Sequence, residues 1–412
     1  MFVGRMLAVA ALATLPSGAF AAACEVDGNG RVDVISNYFE ALQVLADAMK
    51  ECARPGLEID TKLTTEHKSE TEQAFSASSS PFDAAAVANS SITLLQAKGQ
   101  LLPLNDLVDK YREKGRIEDQ MLIRFGDDVM AIAFMVNAQH LFYRKDILEA
   151  HQIAVPKTYD ELVAAFETLS DLPAGVVPFA AAYGNSWELG NEYVNLLIAN
   201  GGELFDPATS EPAFTSPAAV EALETMGKLF PHMSPNALSM DFGDVKLQLQ
   251  QGKAAFAILW GDQAATMDKS DESTVVGKVG FAPAPAMKVG GPPASTFWWD
   301  GYVIPRNLDG DPDVTFQVLL HALSPEVVEA HNDTTLWLRS NYRPTEYTKA
   351  ITETVMAGAP PYPMNPQSAL AHAALGEHIP DFLVGKETAE KALADAADAY
   401  RAAARAEGLL SN

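Results

Sequence analysis

The sequence predicts an α/β protein of more than one domain, and three observations carry that expectation. Short apolar segments alternate with amphipathic ones along nearly the whole chain, the pattern of strands each followed by a helix in mostly parallel sheets. At 412 residues the chain exceeds what one hydrophobic core organises, so two or three domains of ~100–200 residues are expected. The best linker signal, the Pro/Gly-rich run Ala282 to Pro293 (APAPAMKVGGPP), lies late in the chain. The polypeptide therefore crosses between two lobes more than once.

The elements follow in order. Met1 to Ala23 reads as a secretory signal, with Arg5 in the positive region, an apolar run from Met6 to Leu15, and small residues before Cys24. That run is too short to span a membrane, and no later segment approaches the ~20 apolar residues a span needs. Arg31 to Ile35 is a strand and Tyr38 to Cys52 the helix after it. Leu57 to Leu63 alternates as a half-buried strand does. A polar helix over Glu66 to Phe75, a strand over Phe82 to Val87 and a short helix over Ile92 to Ala97 come next. Val129 to Val136 (VMAIAFMV) is a strand, and Thr158 to Leu169 a helix opened by a capping box of Thr158 and Glu161. Tyr193 to Ala199, Pro217 to Leu229 and Val245 to Gln251 are helices, Ala254 to Leu259 (AAFAIL) is a buried strand, and Thr388 to Ala406 is an Ala-rich amphipathic helix.

Charge and cysteine usage narrow the function. With 54 acidic and 29 basic residues the net charge is −25, which argues against nucleic acid or an anionic membrane surface as partner. An apolar content of 48% argues against disorder. The two cysteines, Cys24 and Cys52, admit two readings. Cys24 is the acylated residue of a lipoprotein, a motif that prefers Leu three positions earlier where Ala21 stands. Alternatively the first helix returns beside the start of the first strand, and the pair forms a disulfide in an oxidising compartment.

Four segments, in order, resemble the extracellular solute-binding proteins of ABC importers, family 1, in the maltose-binding-protein-like branch that carries sugars. They are Lys98 to Val108 (KGQLLPLNDLV), Leu141 to Leu162 (LFYRKDILEAHQIAVPKTYDEL), Gln251 to Leu259 (QGKAAFAIL) and Val384 to Ala397 (VGKETAEKALADAA). Arg144 stands where the family usually has Asn, and Tyr159 where it has Trp. The resemblance implies a two-lobed periplasmic binding protein fold, type II-like, with hinge-connected lobes around a ligand cleft. Lobe 1 is expected over 24–133 plus 285–335, and lobe 2 over 134–284 plus 336–412. It implies a periplasmic, monomeric protein that captures a carbohydrate or polyol and delivers it to a membrane permease; Pro366 to Leu375 (PQSALAHAAL) lacks the extra aromatics of oligosaccharide-binding relatives, a departure that points to mono- or disaccharide size. No cofactor and no metal are expected. A secreted glycoside hydrolase is the alternative, and docking on a chemosensory receptor an addition to binding.

A sugar site needs aromatic faces for the C–H side of the ring and polar groups for its hydroxyls. Trp260 ends the AAFAIL strand before Gly261 and Asp262, at the strand edge where ligands of open α/β sheets bind. Trp187 opens a helix beside Asn185 and Glu188, and Trp298, Trp299 and Asp300 follow the Pro/Gly run at the family's crossover. Strand ends add Ser36, Asn37 and Tyr38, then Asn89 and Ser90, then Asn137 and Gln139. Arg339 and Arg343 either clasp hydroxyls or pair with surface acids, Trp337 lies near another cleft segment of the family, and His67 either meets ligand or is solvated. Asp27 to Asp33 fails as a calcium loop, because Arg31 takes the fifth position and the closing glutamate is missing. Asp309 to Asp313 reads as a turn capping the next helix.

Overall fold

The computed structural model describes residues 24–184, 186–206 and 208–410; the expected signal segment and Asn185 lie outside them. The chain opens with β1 (Gly30–Ser36), α1 (Glu40–Lys50), β2 (Leu57–Leu63), α2 (His67–Ser76), β3 (Ala84–Ala88), α3 (Asn89–Ala97) and α4 (Asn105–Tyr111). It continues through β4 (Leu122–Phe125), the long β5 (Asp128–Arg144), α5 (Lys145–His151), α6 (Tyr159–Glu167), β6 (Val177–Ala180), α7 (Ser186–Ala199) and α8 (Pro217–Leu229). Then come α9 (Phe242–Gln250), β7 (Ala254–Trp260), β8 (Val279–Ala282), β9 (Phe297–Val303), α10 (Pro312–Ala322) and α11 (Pro325–Ala330). The last elements are β10 (Leu336–Trp337), α12 (Lys349–Met356), α13 (Pro366–Leu383) and α14 (Ala389–Ala406). Among the described residues no helix is long and apolar enough to cross a membrane.

The fold is α/β and two-lobed. The strands order as β2-β1-β3-β9-β5-β7-β6, with β4, β8 and β10 added on β5. β1 runs parallel to β2 and β3, and β6 parallel to β7, as the strand–helix alternation predicts. β9 is antiparallel to both its neighbours, and β5 is antiparallel to β7. The sheets are therefore mixed. β1 and β3 end at the cleft, whereas β9 enters its sheet from the cleft and so must run the opposite way.

β5 joins the lobes. Its residues up to Ala138 pair with β9, and from Gln139 onward it pairs with β7 and β8. The apolar run of VMAIAFMV marks only its first half. The second half is equally buried but carries Asn137, Gln139 and His140, which break the apolar signal.

Each lobe buries both faces of its sheet, so its strands read as continuous apolar runs. One face of the first lobe packs Val34, Leu45, Phe134, Phe316 and Trp337, and the other Ile35, Ile92, Trp299 and Val303. The second lobe packs Phe179, Tyr193, Leu223, Phe256 and Tyr400 on one face, and Phe142, Leu259 and Met267 on the other. Against the expected borders at 133/134, 284/285 and 335/336, Phe134, Met135 and Trp337 lie in the first core, and Met287, Ala294 and Trp298 in the second.

Local signals act as expected, with one shift. Thr158 caps α6 by accepting from the Glu161 N–H at 3.2 Å, but the Glu161 carboxylate takes the N–H of Lys157, not that of Thr158. Asp311 caps α10 by accepting the Asp313 N–H at 2.9 Å. α1 does return beside the start of β1, and Cys24 and Cys52 form a disulfide with Cα atoms 5.0 Å apart. Closing a loop of this size stabilises by ~3 kcal/mol in the chain-entropy account. Reducing it, or Cys52→Ser, is expected to lower the melting temperature by several degrees, read in paired melts with and without reductant.

Candidate functional site

A cleft of about 1720 Å³ opens between the lobes, and its floor is built where the crossing strands meet. Register sets the geometry. Asn137 on β5 lies opposite Trp298 on β9, and Gln139 opposite Trp260, the last residue of β7. Along β9 side chains alternate, so Trp298 and Asp300 face the cleft while Trp299 points the other way into the first lobe's core. Trp187 comes from the first turn of α7, and Phe242 from the start of α9.

Four rings close a cycle on the second-lobe side. Trp187 meets Trp298 at 5.6 Å, Trp298 meets Trp260 at 5.8 Å, Trp260 meets Phe242 at 5.7 Å and Phe242 returns to Trp187 at 6.3 Å, each close to edge-on. Edge-to-face contacts of this kind fix ring orientation. Behind them, Tyr362 packs on Trp298 at 4.1 Å. His372 stacks on Trp187 at 5.2 Å, and its ring nitrogens meet the Trp187 carbonyl at 2.5 Å and the Tyr362 hydroxyl at 2.8 Å. Burial holds His372 neutral, with its pKa down to about 4.

Charged groups face the rings. Asp262, the residue after Gly261, is 3% exposed; its carboxylate accepts from Asn137 and from Gln263, each at 2.8 Å. Burial nevertheless pushes it up to about 6. Asp300 is driven up to about 7 by burial and by the charge of Asp262, against the pull of Lys68. Lys68 on α2 of the first lobe reaches across, its ammonium 4.4 Å from the centre of the Trp187 ring, and burial lowers it to about 8. A second cross-cleft contact joins Lys269, after β7, to Glu40 at the head of α1 at 2.8 Å.

Of the expected site residues, Asn37, Tyr38, Asn137, Trp187, Trp260, Trp298 and Asp300 line this cleft, as do His67 and Glu188. His67 is 8% exposed, not solvated, and burial lowers its pKa to about 4. Four do not line it. Trp299 is in the core, for the alternation just given. Asn89 is wholly buried at the start of α3, donating to the Phe297 carbonyl at 3.4 Å, and Ala88 takes its place on the cleft wall. Gln139 lies beneath α7, donating to Glu192 at 2.5 Å and accepting from Asn191 and Asn195 at 3.0 and 2.6 Å. Arg339 is 5% exposed and donates to the carbonyls of Arg116 at 2.7 Å and Gly115 at 3.2 Å, tying down a loop of the first lobe. Trp337 is likewise a core residue, and Arg343 is an exposed one whose backbone bonds to Asn332. Lys68, Phe242, Asp262, Gln263 and Lys269 are among the further lining residues that the sequence did not single out.

The family model of bacterial extracellular solute-binding proteins matches residues 35–311. A probable ABC transporter-binding protein of Deinococcus radiodurans is 27% identical over 182 residues, 42% of this chain and 43% of that one, so the match spans less than half of the relative. Two crystal structures share the fold: an Agrobacterium radiobacter solute-binding protein in complex with ribitol (TM-score 0.79, 21% identity, 92% of this chain and 100% of that one), and an Agrobacterium vitis one with D-mannitol (0.77, 18%, 92% and 99%).

Proposed function

This chain belongs to the bacterial extracellular solute-binding proteins, a family of exported binding proteins, and from that membership we propose that it captures a carbohydrate or polyol for an ABC importer. The observation that carries this reading is the cleft floor. Trp260 offers a partly exposed ring to apolar C–H groups, with Trp187 and Trp298 set beside it, and Asn137, Asp262, Asp300 and Lys68 stand near to meet hydroxyls. The ribitol and mannitol complexes of the two Agrobacterium structures support the same ligand class. The ligand is of mono- or disaccharide size, the protein acts as a monomer in the periplasm after loss of Met1 to Ala23, and the closed form docks on the membrane permease. Binding, not turnover, is its activity.

The test is a thermal-shift screen of the mature protein against sugars, alditols and amino acids. A ligand confined to the folded state stabilises by ~2.7 kcal/mol at a hundredfold excess over its dissociation constant. A shift with one carbohydrate class, and that compound recovered unchanged, supports the proposal. Recovery of hydrolysed product overturns it.

Closure should be tunable through Lys269 and Glu40, which join the lobes at 2.8 Å and are each about a third exposed. An exposed pair contributes ~0.2–1 kcal/mol. Lys269→Met is therefore expected to weaken ligand affinity by about two- to fivefold, more at low salt. The swap of Glu40→Lys with Lys269→Glu should restore it, as titration calorimetry would show.

A further inference from the structure

The cleft floor holds an acceptor and a donor that the protein leaves without hydrogen bonds. Asp300 accepts none and Lys68 donates none among the described residues, although each feels the other's charge. Asp262 differs, since Asn137 and Gln263 both donate to it. Lys68 rests instead on the face of Trp187 at 4.4 Å. Both groups are thus open to a ligand's donors and acceptors.

We propose that the recognised part of the ligand is an uncharged vicinal diol, of an alditol or a neutral monosaccharide, seated between Asp300 and Lys68, and that charged analogues are discriminated against. This rests on the carbohydrate reading above and narrows it. A hydroxyl both donates and accepts, so two adjacent ones satisfy the carboxylate and the ammonium together. A sugar carboxylate would satisfy Lys68 only by lying beside Asp300 and Asp262. Asp241 and Glu272, which also line the cleft, add to the repulsion. A sugar amine would satisfy Asp300 and leave its neighbouring hydroxyl for Lys68, but it sets a second ammonium beside the half-buried one. Selectivity thus comes from the like charge each charged analogue brings as much as from what the diol gains.

Matched triples test this: alditols of four to six carbons, their aldonates and their 1-amino-1-deoxy derivatives, with the corresponding neutral sugars, measured by titration calorimetry at about pH 7.5, above the value for Asp300 and below that for Lys68. The expected order has an alditol or neutral sugar first, its amine several-fold weaker and its aldonate at least a hundredfold weaker. Asp300→Asn should weaken the neutral ligand and bring the aldonate to within tenfold of it. Lys68→Met should move the preference towards the amine. These ratios report selectivity, which a general loss of folding does not reorder. An aldonate within threefold of its alditol, or an amine tenfold tighter than it, overturns this inference while leaving carbohydrate capture standing. No binding by any neutral sugar or alditol overturns the proposed function, and the inference with it.

Discussion

Trp260→Ala should abolish most ligand binding and leave the fold intact. Trp260 is the one ring of the cycle placed by a strand's last residue, partly exposed and in edge-on contact with both Phe242 and Trp298. Truncating an aromatic anchor at the centre of a binding surface costs about 2–3 kcal/mol, which corresponds to roughly a 30- to 150-fold loss of affinity. Its neighbours suit the experiment less well. Trp298 is 5% exposed, donates from its indole N–H to Thr296 at 3.1 Å and packs on Tyr362, so its removal disturbs the second lobe's core as well as the site. Two measurements separate the outcomes for Trp260→Ala. An unliganded melt within about 3 °C of wild type, together with loss of the ligand-induced shift, assigns the ring to binding. Unaltered affinity would remove Trp260 from the site and turn attention to Trp187 and Phe242.

Why Trp260 was legible in the sequence while Gln139 was misread follows from what fixes each position. A strand's end is a local event: the apolar run AAFAIL stops at Trp260, Gly261 turns the chain, and Asp262 follows. Asn137 and Gln139 look alike on that criterion, since both follow an apolar run. The run, however, is not where β5 ends, because the strand continues to Arg144 in the second lobe. Past Ala138 it leaves β9 for β7, and α7, from fifty residues further on, covers Gln139 with Asn191 and Asn195.

Alternation resolves the next pair. Trp298 and Asp300 share a face and Trp299 cannot join them, a separation that requires knowing the segment is a strand and not a crossover loop. Lys68 and Arg339 show the opposite failures. Lys68 lies on a polar helix with nothing nearby to mark it, and only the closeness of the lobes brings it to Trp187. Arg339 sits beside Trp337 as a cleft residue would, but the carbonyls that claim it belong to Gly115 and Arg116, more than 220 residues earlier.

The misread Gln139 carries the largest expected effect on stability, and it is coupled to pH. Its amide links Glu192 to Asn191 and Asn195; Asn195 in turn accepts from the N–H and hydroxyl of Thr296 at 2.9 and 2.8 Å, and Thr296 accepts from Trp298. The chain of bonds thus runs from the crossing strand to the aromatic floor, with every member no more than 6% exposed. Gln139→Leu strands two amides and a carboxyl group at once, and is expected to cost about 3–5 kcal/mol. Burial pushes Glu192 up to about 8, with the charge of Glu188 adding to it. Because the folded protein holds that proton more tightly than the unfolded chain, stability falls as pH rises from the ordinary glutamate range through about 8. Asp300 at about 7 and Asp262 at about 6 act in the same sense. His67, His140 and His372, each lowered to about 4 by burial, act in the opposite sense, and their stabilisation is lost as pH falls below the ordinary histidine value. The two sets nearly cancel between about pH 4.5 and 6, so the unliganded protein should melt highest at about pH 5 to 6 and lose stability as pH rises beyond it. Glu192→Gln keeps an oxygen for the Gln139 amide and has no proton to lose. It should flatten the alkaline limb by several degrees at pH 8.5 and move the maximum towards higher pH. An alkaline limb as steep in Glu192→Gln as in wild type would place the titrating group elsewhere.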